Sequence, residues 1–190
     1  MRGMEAIERV VEYNDVDTVL DIGSWNGEHA NYLKRYGKNV STVDFNVQAD
    51  YTGNYLDLEL PKFDCIWCSH TLEHQPNVNL FLKKCFNDLN DGGLFAITVP
   101  SMGKYGNRVV DGHMTYWNAG VLLYNLILAG FDCSKARVAT YNHEVSVLVE
   151  KVEASLPRIS SDRGEIERLS KFFPMPVQQG FDGYVEKLNW

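Results

Sequence analysis

Short apolar runs alternate with amphipathic segments along most of the chain. Residues 18–22 and 39–45 have the composition of two buried β-strands, and the intervening residues 27–36 have helical spacing of their apolar positions. Residues 63–68 form a continuous apolar run, which is typical of a strand buried on both faces. Such alternation of strands and helices predicts an α/β fold whose sheet is mostly parallel and doubly wound, with helices on both faces.

The rest of the chain continues this pattern. The Asp91–Gly93 segment predicts a turn before a strand, and a glycine-containing loop is expected at 100–112. The remaining elements predicted from periodicity are helices at 4–13, 78–89 and 117–128, a short strand near 51–55, a strand at 94–99, and a closing strand pair at 137–141 and 145–152.

The pattern changes after residue 152. A polar linker leads into a charged helical segment at 163–173, and the last residues are rich in aromatic side chains. We therefore predict a main domain at residues 1–152 and a C-terminal extension at 153–190 that acts as a strap, a lid or a dimer arm. A homodimer is a possible consequence of its aromatic side chains, which are Phe172, Phe173, Phe181, Tyr184 and Trp190.

Composition and charge disfavour several classes of protein. The net charge of −7 disfavours binding to the phosphate backbones of nucleic acids, which depends on many lysines and arginines. The longest apolar segment, at 121–129, contains Asn125 and is too short to span a bilayer. Four cysteines in 190 residues do not suggest a disulfide framework. We therefore expect a cytoplasmic protein that does not bind membranes and that acts on a small molecule.

The most informative segment runs from Thr18 to Gly27, where a strand ends in a glycine turn that opens a helix. Asp44 then closes the next strand. Glycines in such a turn let backbone amides approach a ligand, and an acid at this distance is placed to accept hydrogen bonds from ribose hydroxyls. The pattern predicts a cofactor that contains adenosine.

These residues resemble the class I methyltransferases that use S-adenosylmethionine (SAM). The family's strand and turn have the pattern acid-x-Gly-x-Gly-x-Gly, and this chain has Asp21, Gly23, Trp25 and Gly27 at those places, so that Trp25 replaces the middle glycine. The resemblance covers about residues 18–150. It implies a seven-stranded sheet with an antiparallel last strand, SAM as the cofactor, and methyl transfer to an oxygen or nitrogen of a small-molecule acceptor.

The resemblance also implies which residues bind the cofactor. Asp44 would accept hydrogen bonds from the ribose hydroxyls. Phe45 would either lie against the adenine or pack in the core. Asn54 and Tyr55 occupy the place of the adenine-edge residues, although Asp50 and Asp57 compete for it. The predicted cofactor-binding residues are Asp21, Gly23, Ser24, Trp25, Gly27, Asp44, Phe45, Asn54, Tyr55, Ser69 and His70.

Methyl transfer from SAM needs mainly proximity and orientation, because the donor is already activated. A hydroxyl acceptor would also need a general base, for which histidine is best suited. His113 follows the fifth strand and is the preferred base or acceptor contact, with His70 as the second candidate; alternatively, His113 caps the next helix. Tyr116 and Trp117 would line the acceptor pocket or merely pack.

Two other patterns are interpreted as structural. His70-Thr-Leu-Glu-His74 matches a motif of zinc peptidases, but the preceding strand and Pro76 leave little room for the helix that the motif requires. Cys65 and Cys68 would point to opposite faces of one strand. No metal site is therefore predicted.

Two alternatives to an active methyltransferase remain open at this point. One is a SAM-binding or regulatory module without turnover. The other is an NAD-dependent oxidoreductase or nucleotide-sugar enzyme, which is disfavoured because the chain lacks the Gly-x-Gly-x-x-Gly spacing and a Tyr-x-x-x-Lys pair.

Overall fold

The computed structural model of the chain describes residues 1–102 and 112–190. Most of the predicted loop at 100–112, including Asp111, therefore lies outside the described residues. The described helices are α1 (Met4–Val11), α2 (Glu28–Arg35), α3 (Val78–Asp88), α4 (Ala119–Ala129) and α5 (Glu165–Leu169). The strands are β1 (Thr18–Ile22), β2 (Asn39–Asp44), β3 (Tyr51–Thr52), β4 (Phe63–Ser69), β5 (Leu89–Pro100), β6 (Arg137–Tyr141), β7 (Glu144–Glu150) and β8 (Lys187–Leu188).

The strands form one sheet in the order β3-β2-β1-β4-β5-β7-β6-β8. Neighbours from β3 to β5 pair in parallel, whereas β7 runs antiparallel to both β5 and β6. The predicted doubly wound, mostly parallel sheet is thus confirmed. The described residues give it eight strands instead of the expected seven, because Lys187–Leu188 at the end of the chain adds a short antiparallel strand beside β6.

Each face of the sheet carries its own hydrophobic core. Helices α1 and α2 cover one face, and α3 and α4 cover the other. Cys65 belongs to the first core and Cys68 to the second, which confirms that the two thiols point to opposite faces. All four cysteines are buried and free, and burial raises the pKa of each thiol, so they behave as small hydrophobic side chains.

The C-terminal segment packs along the sheet and α4. Phe172 and Phe173 are buried in the larger core, and the carbonyl of Gly183 accepts a hydrogen bond from the amide of Gly120. Tyr184, in contrast, remains exposed. The division of the chain at residue 152 and the homodimer both stay predictions.

Two predicted elements differ from the structure. The turn expected at Asp91–Gly93 lies inside β5, where positive φ at Gly92 and a register shift opposite β4 absorb the bend. The charged helix expected at 163–173 is short and ends in a 3-10 turn, Ser170–Phe172. Burial of both Phe172 and Phe173 explains this ending, because adjacent residues do not share one face of a regular α-helix.

The longest helices among the described residues, α3 and α4, have 11 residues each. Within this part of the chain no helix is long and apolar enough to cross a membrane.

Candidate functional site

The glycine turn after β1 is fixed to the neighbouring strand by its backbone. The amides of Gly23 and Ser24 donate to the carbonyl of Val43, at 2.9 and 3.1 Å. Gly23 has φ of 78°, and a Cβ atom there would lie 2.1 Å from Oγ1 of Thr71. Glycine is therefore required at this position both by the backbone conformation and by the space available.

The middle of the turn is strained. Trp25 has φ of 42°, in the left-handed region, which costs a residue with a Cβ atom about 1 kcal/mol or more. Its side chain is 72% exposed, so little packing energy offsets this cost. Gly27 is also left-handed and occupies the N-cap of α2. The turn and the N-terminus of α2 therefore lie at the carboxyl edge of the sheet, where ligands bind in such folds.

Asp44 ends β2 directly beside this turn. Its Oδ2 accepts a hydrogen bond from the amide of Trp25 at 2.8 Å, and its Oδ1 accepts from the amides of Asn46 and Val47. Oδ1 thus uses both of its lone pairs, whereas Oδ2 keeps a second lone pair that can accept from a ligand. Phe45, the next residue, is 69% exposed and does not pack in the core. Two exposed aromatic side chains thus flank the Asp44 carboxylate.

Asp21 lies on β1, just before the turn, and is completely buried. Its Oδ2 has no hydrogen-bond partner among the described residues. Burial raises the pKa of Asp21 to about 7; the backbone of Ala30 lowers it in part, and the charge of Asp44 raises it further. A buried acid with an unused acceptor is costly to the protein alone and suits a site that receives a polar or cationic ligand group.

The end of β4 closes the other side of the turn. Oγ1 of Thr71 donates to the carbonyl of Ile22 at 3.1 Å, which ties the residues after β4 to the end of β1. Ser69 is buried, and its Oγ has no partner among the described residues. The residues that follow β4 therefore border the same crevice as the glycine turn.

His70 is held between two carboxylates. Its Nε2 donates to Oε1 of Glu144 at 3.0 Å, and its Nδ1 lies 3.3 Å from Oε1 of Glu73. Burial lowers the pKa of His70, but the two carboxylates outweigh this effect and raise it above its ordinary value. Glu144 also accepts a hydrogen bond from the amide of Gly3 at 2.9 Å, so the N-terminal residues close over this side of the site.

His113 lies on the far side of Glu73, on the segment that leads into α4. Its ring meets that of His74 edge to face, with the centroids 5.0 Å apart. The amides of Met114 and Thr115 donate to the carbonyl of Glu73, which fixes this segment to the turn after β4. Burial lowers the pKa of His113, and the nearby Glu73 opposes the shift only in part. Burial therefore favours the neutral form of the imidazole.

The predicted adenine-edge pair lies on a 3-10 turn after β3. Oδ1 of Asn54 accepts from the amide of Leu56 at 3.3 Å, and its Nδ2 donates to Asp57. Tyr55 points into the core, where its hydroxyl donates to Asp88 at 2.8 Å. Only the backbone of Tyr55 is therefore available to a ligand, and the role of the pair at the adenine edge stays a prediction.

Some residues beside the glycine turn could not be predicted from the sequence. Thr71 and Glu144 lie in a loop and a hairpin, and the sequence gives no reason to place either beside the glycine turn. His70-x-x-Glu73-His74 is visible as a motif, but its residues 72–74 form a 3-10 turn, so its histidines do not share a helical face. Trp117, expected to line the acceptor pocket or pack, is buried in the larger core.

Several features fit the cofactor that the resemblance implies. SAM carries a ribose diol, an ammonium group and a carboxylate, and no phosphate. Asp44 offers an acceptor for the diol through Oδ2, and the buried Asp21 offers an unused acceptor for a cation. Gly23 and Gly27 add no side chains to the turn, and Trp25 is exposed. The residues present therefore suit SAM.

Comparison with known proteins agrees with this assignment. The family model described as "Methyltransferase domain" matches residues 4–133, more than half of the chain. No curated protein matches the sequence significantly.

Solved structures share the fold at low sequence identity. A SAM-dependent methyltransferase from Archaeoglobus fulgidus is 16% identical, with a TM-score of 0.64 over 76% of this chain and 91% of that one. The 1,6-didemethyltoxoflavin-N1-methyltransferase of Burkholderia thailandensis, solved with S-adenosylhomocysteine, is 18% identical. Its TM-score is 0.66 over 78% of this chain and 77% of that one.

A sugar N-methyltransferase from a Streptoalloteichus species is 15% identical, with a TM-score of 0.61 over 78% of this chain and 86% of that one. At these identities the solved structures support the fold alone, whereas the match to the methyltransferase family model supports membership of the family. The chain therefore belongs to the class I methyltransferases, the family whose cofactor is S-adenosylmethionine.

Proposed function

We propose that the protein transfers the methyl group of SAM to an oxygen or nitrogen atom of a small-molecule acceptor. The observation that carries this proposal is the Asp44 carboxylate, which is hydrogen-bonded to the glycine turn at the carboxyl edge of the sheet. Two of the structural neighbours named above act on small molecules, which supports an acceptor of this class. The net charge of −7 also favours it over a nucleic acid.

When bound, SAM supplies an electrophilic methyl group, and the residues of this chain position it. Asp44 would hold the ribose, and the turn from Gly23 to Gly27 would border the methionine end, where Asp21 offers its unused acceptor. Thr71 ties the residues after β4 to the end of β1 beside this turn, which would keep that border of the crevice in place. Orientation of two bound reactants is the main catalytic contribution that such a reaction needs.

The two candidate histidines have different electrostatic surroundings. Glu144 and Glu73 raise the pKa of His70 and thereby favour its protonated form, which makes it less suited to accept a proton. His113 is half-buried on the segment that follows β5, and burial lowers its pKa, which favours the neutral form. We assign His113 to the acceptor side, as the residue that contacts the substrate, and His70 to the positioning of the loop after β4.

Thermal denaturation with S-adenosylhomocysteine tests the cofactor, with NAD as the control. Saturation at one hundred times the dissociation constant should stabilise the protein by about 2.7 kcal/mol, which raises Tm by roughly 5–10 °C for a chain of this size. NAD should give no shift. Stabilisation by NAD alone would replace the methyltransferase proposal with an oxidoreductase.

Turnover is tested separately, by the release of S-adenosylhomocysteine in the presence of sets of hydroxyl and amine acceptors. Consumption of SAM with at least one set supports the proposed function. Tight binding of S-adenosylhomocysteine without consumption across all acceptors would identify a SAM-binding module without activity.

Trp25 provides an optical signal for the cofactor. It is the most exposed of the four tryptophans, whereas Trp67 and Trp117 are buried. We expect S-adenosylhomocysteine to shift the tryptophan emission to shorter wavelength, because a ligand beside Asp44 would remove water from the Trp25 indole. Trp25→Phe should abolish the shift, and Trp190→Phe should keep it. An unchanged shift in Trp25→Phe would place the ligand away from the glycine turn.

A further inference from the structure

Three side chains beside the cofactor crevice offer a set of metal ligands. Glu73, His74 and His113 each present one ligand atom, and these atoms all lie within 4.8 Å of one another. The distance from Nε2 of His74 to Oε1 of Glu73 is 3.9 Å. Ligand atoms about 2.1 Å from a tetrahedral ion lie about 3.4 Å apart, so the three side chains need to move inward by only about 1 Å to coordinate one.

Glu73 is the strongest single indication. Its side chain is fully buried, yet neither carboxylate oxygen has a hydrogen-bond partner among the described residues. The nearest positive group is His70, whose Nδ1 lies 3.3 Å from Oε1. His70 thus faces Oε1 alone, and Oε2 has no polar partner among the described residues. A buried carboxylate oxygen without a partner is costly, and coordination of a cation would offset that cost.

His74 is already oriented as a ligand. Its Nδ1 donates to the carbonyl of Gly112 at 2.8 Å, which leaves the lone pair on Nε2. Histidines that bind metals almost always donate their other ring nitrogen to a carbonyl or carboxylate, because this fixes the tautomer and the ring orientation. This Nε2 is the atom that lies 3.9 Å from Oε1 of Glu73.

From this geometry we propose that Glu73, His74 and His113 bind one divalent cation of the zinc type. Two imidazoles and one carboxylate suit zinc and its first-row neighbours, whereas magnesium prefers oxygen ligands. The ligand set differs from that of the zinc-peptidase motif, because His70 is turned toward Glu144 and His113 takes the remaining place. No metal is predicted from the sequence, since His113 lies 39 residues after His74.

Three protein ligands leave at least one coordination position of the ion open. The cluster borders the acceptor side of the crevice, so we infer that the open position binds an oxygen or nitrogen atom of the methyl acceptor. A bound cation would lower the pKa of an acceptor hydroxyl and thereby favour its deprotonation. This consequence rests on the proposed function, whereas the cation site itself does not.

Calorimetric titration of the chelator-treated, full-length protein with zinc chloride tests the site without any cofactor. We expect one zinc ion per chain in the wild type and in the control His143→Ala, which removes an exposed histidine of the β6–β7 hairpin. Glu73→Gln and His113→Ala should each weaken zinc binding by at least tenfold, since even residues that only orient ligands cost about that much. Cobalt should give visible absorption bands that His113→Ala loses, and magnesium should not compete.

Absence of zinc binding by the wild type, or an unchanged affinity in His113→Ala, would overturn the site. His113→Ala alters a half-buried side chain, so it remains informative even if Glu73→Gln does not fold. Binding of S-adenosylhomocysteine is measured on the same variants without zinc. A protein that binds S-adenosylhomocysteine but not zinc would refute the cation site alone, and the opposite result would refute the proposed function alone.

Discussion

Asp44→Ala is expected to weaken the binding of S-adenosylhomocysteine by about two orders of magnitude or more. Hydrogen bonds to a charged group contribute about 1.5–3 kcal/mol each, and every 1.4 kcal/mol is a factor of ten in affinity. The carboxylate also accepts from the amide of Trp25, so its removal would loosen the middle of the glycine turn, which stays tied to β2 through Gly23 and Ser24. Isothermal titration calorimetry measures the change directly.

The matched control for this variant is Asp91→Ala. The Asp91 side chain is 93% exposed and lies in the bend at the start of β5, at the opposite edge of the sheet from the glycine turn. It should bind S-adenosylhomocysteine like the wild type. Circular dichroism checks that Asp44→Ala is folded. An affinity within threefold of the wild type would remove Asp44 from the cofactor site.

Asp21→Asn should stabilise the ligand-free protein at pH 8, unlike most substitutions of buried residues. The pKa of Asp21 is about 7 in the folded protein, against 3.8 as its ordinary value. A shift of about three units corresponds to about 4 kcal/mol, which the folded state loses when this carboxyl ionises. For a chain of this size, removing that cost should raise Tm by on the order of 10 °C.

The pH dependence follows from the direction of the shift. A carboxyl whose pKa is raised on folding favours the folded state most below pH 3.8, and this contribution is lost as the pH rises to about 7. The difference in Tm between Asp21→Asn and the wild type should therefore grow from pH 5 to pH 8, whereas Asp91→Asn should show no such trend. A constant difference would mean that Asp21 is ionised throughout.

Local sequence was sufficient to predict the glycine turn after β1 and the place of Asp44 at the end of β2, whereas the contacts of these residues with the cofactor stay predictions. The glycines and Asp44 act through backbone conformations and strand ends, which are encoded within about twenty-five residues of chain. The opposite orientation of Cys65 and Cys68 follows equally from the two-residue period of a strand. Where prediction succeeded, the relevant contacts are local or follow directly from the order of the strands.

The proposed acceptor side depends on contacts between distant segments. His70 and Glu144 are 74 residues apart in sequence, and the carbonyl of Gly112 reaches back to His74 across 38 residues. No periodicity encodes such pairs, because they arise only when the β6–β7 hairpin and the segment after β5 meet the end of β4. The inward orientation of Tyr55 also depends on a distant contact, because its hydroxyl donates to Asp88 at the end of α3. The residues next to Tyr55 in sequence do not predict this orientation.

The pairing of β5 with β7 also sets the limits of an independently folding fragment. The family match ends at residue 133, but β7 covers the edge of β5 from Leu94 to Pro100 and adds the buried hydrogen bond between Thr98 and Ser146. A fragment cut at the end of the family match would expose that long apolar edge, a template for aggregation. The smallest fragment that keeps the sheet closed on this side must therefore extend to residue 150, through the whole β6–β7 hairpin.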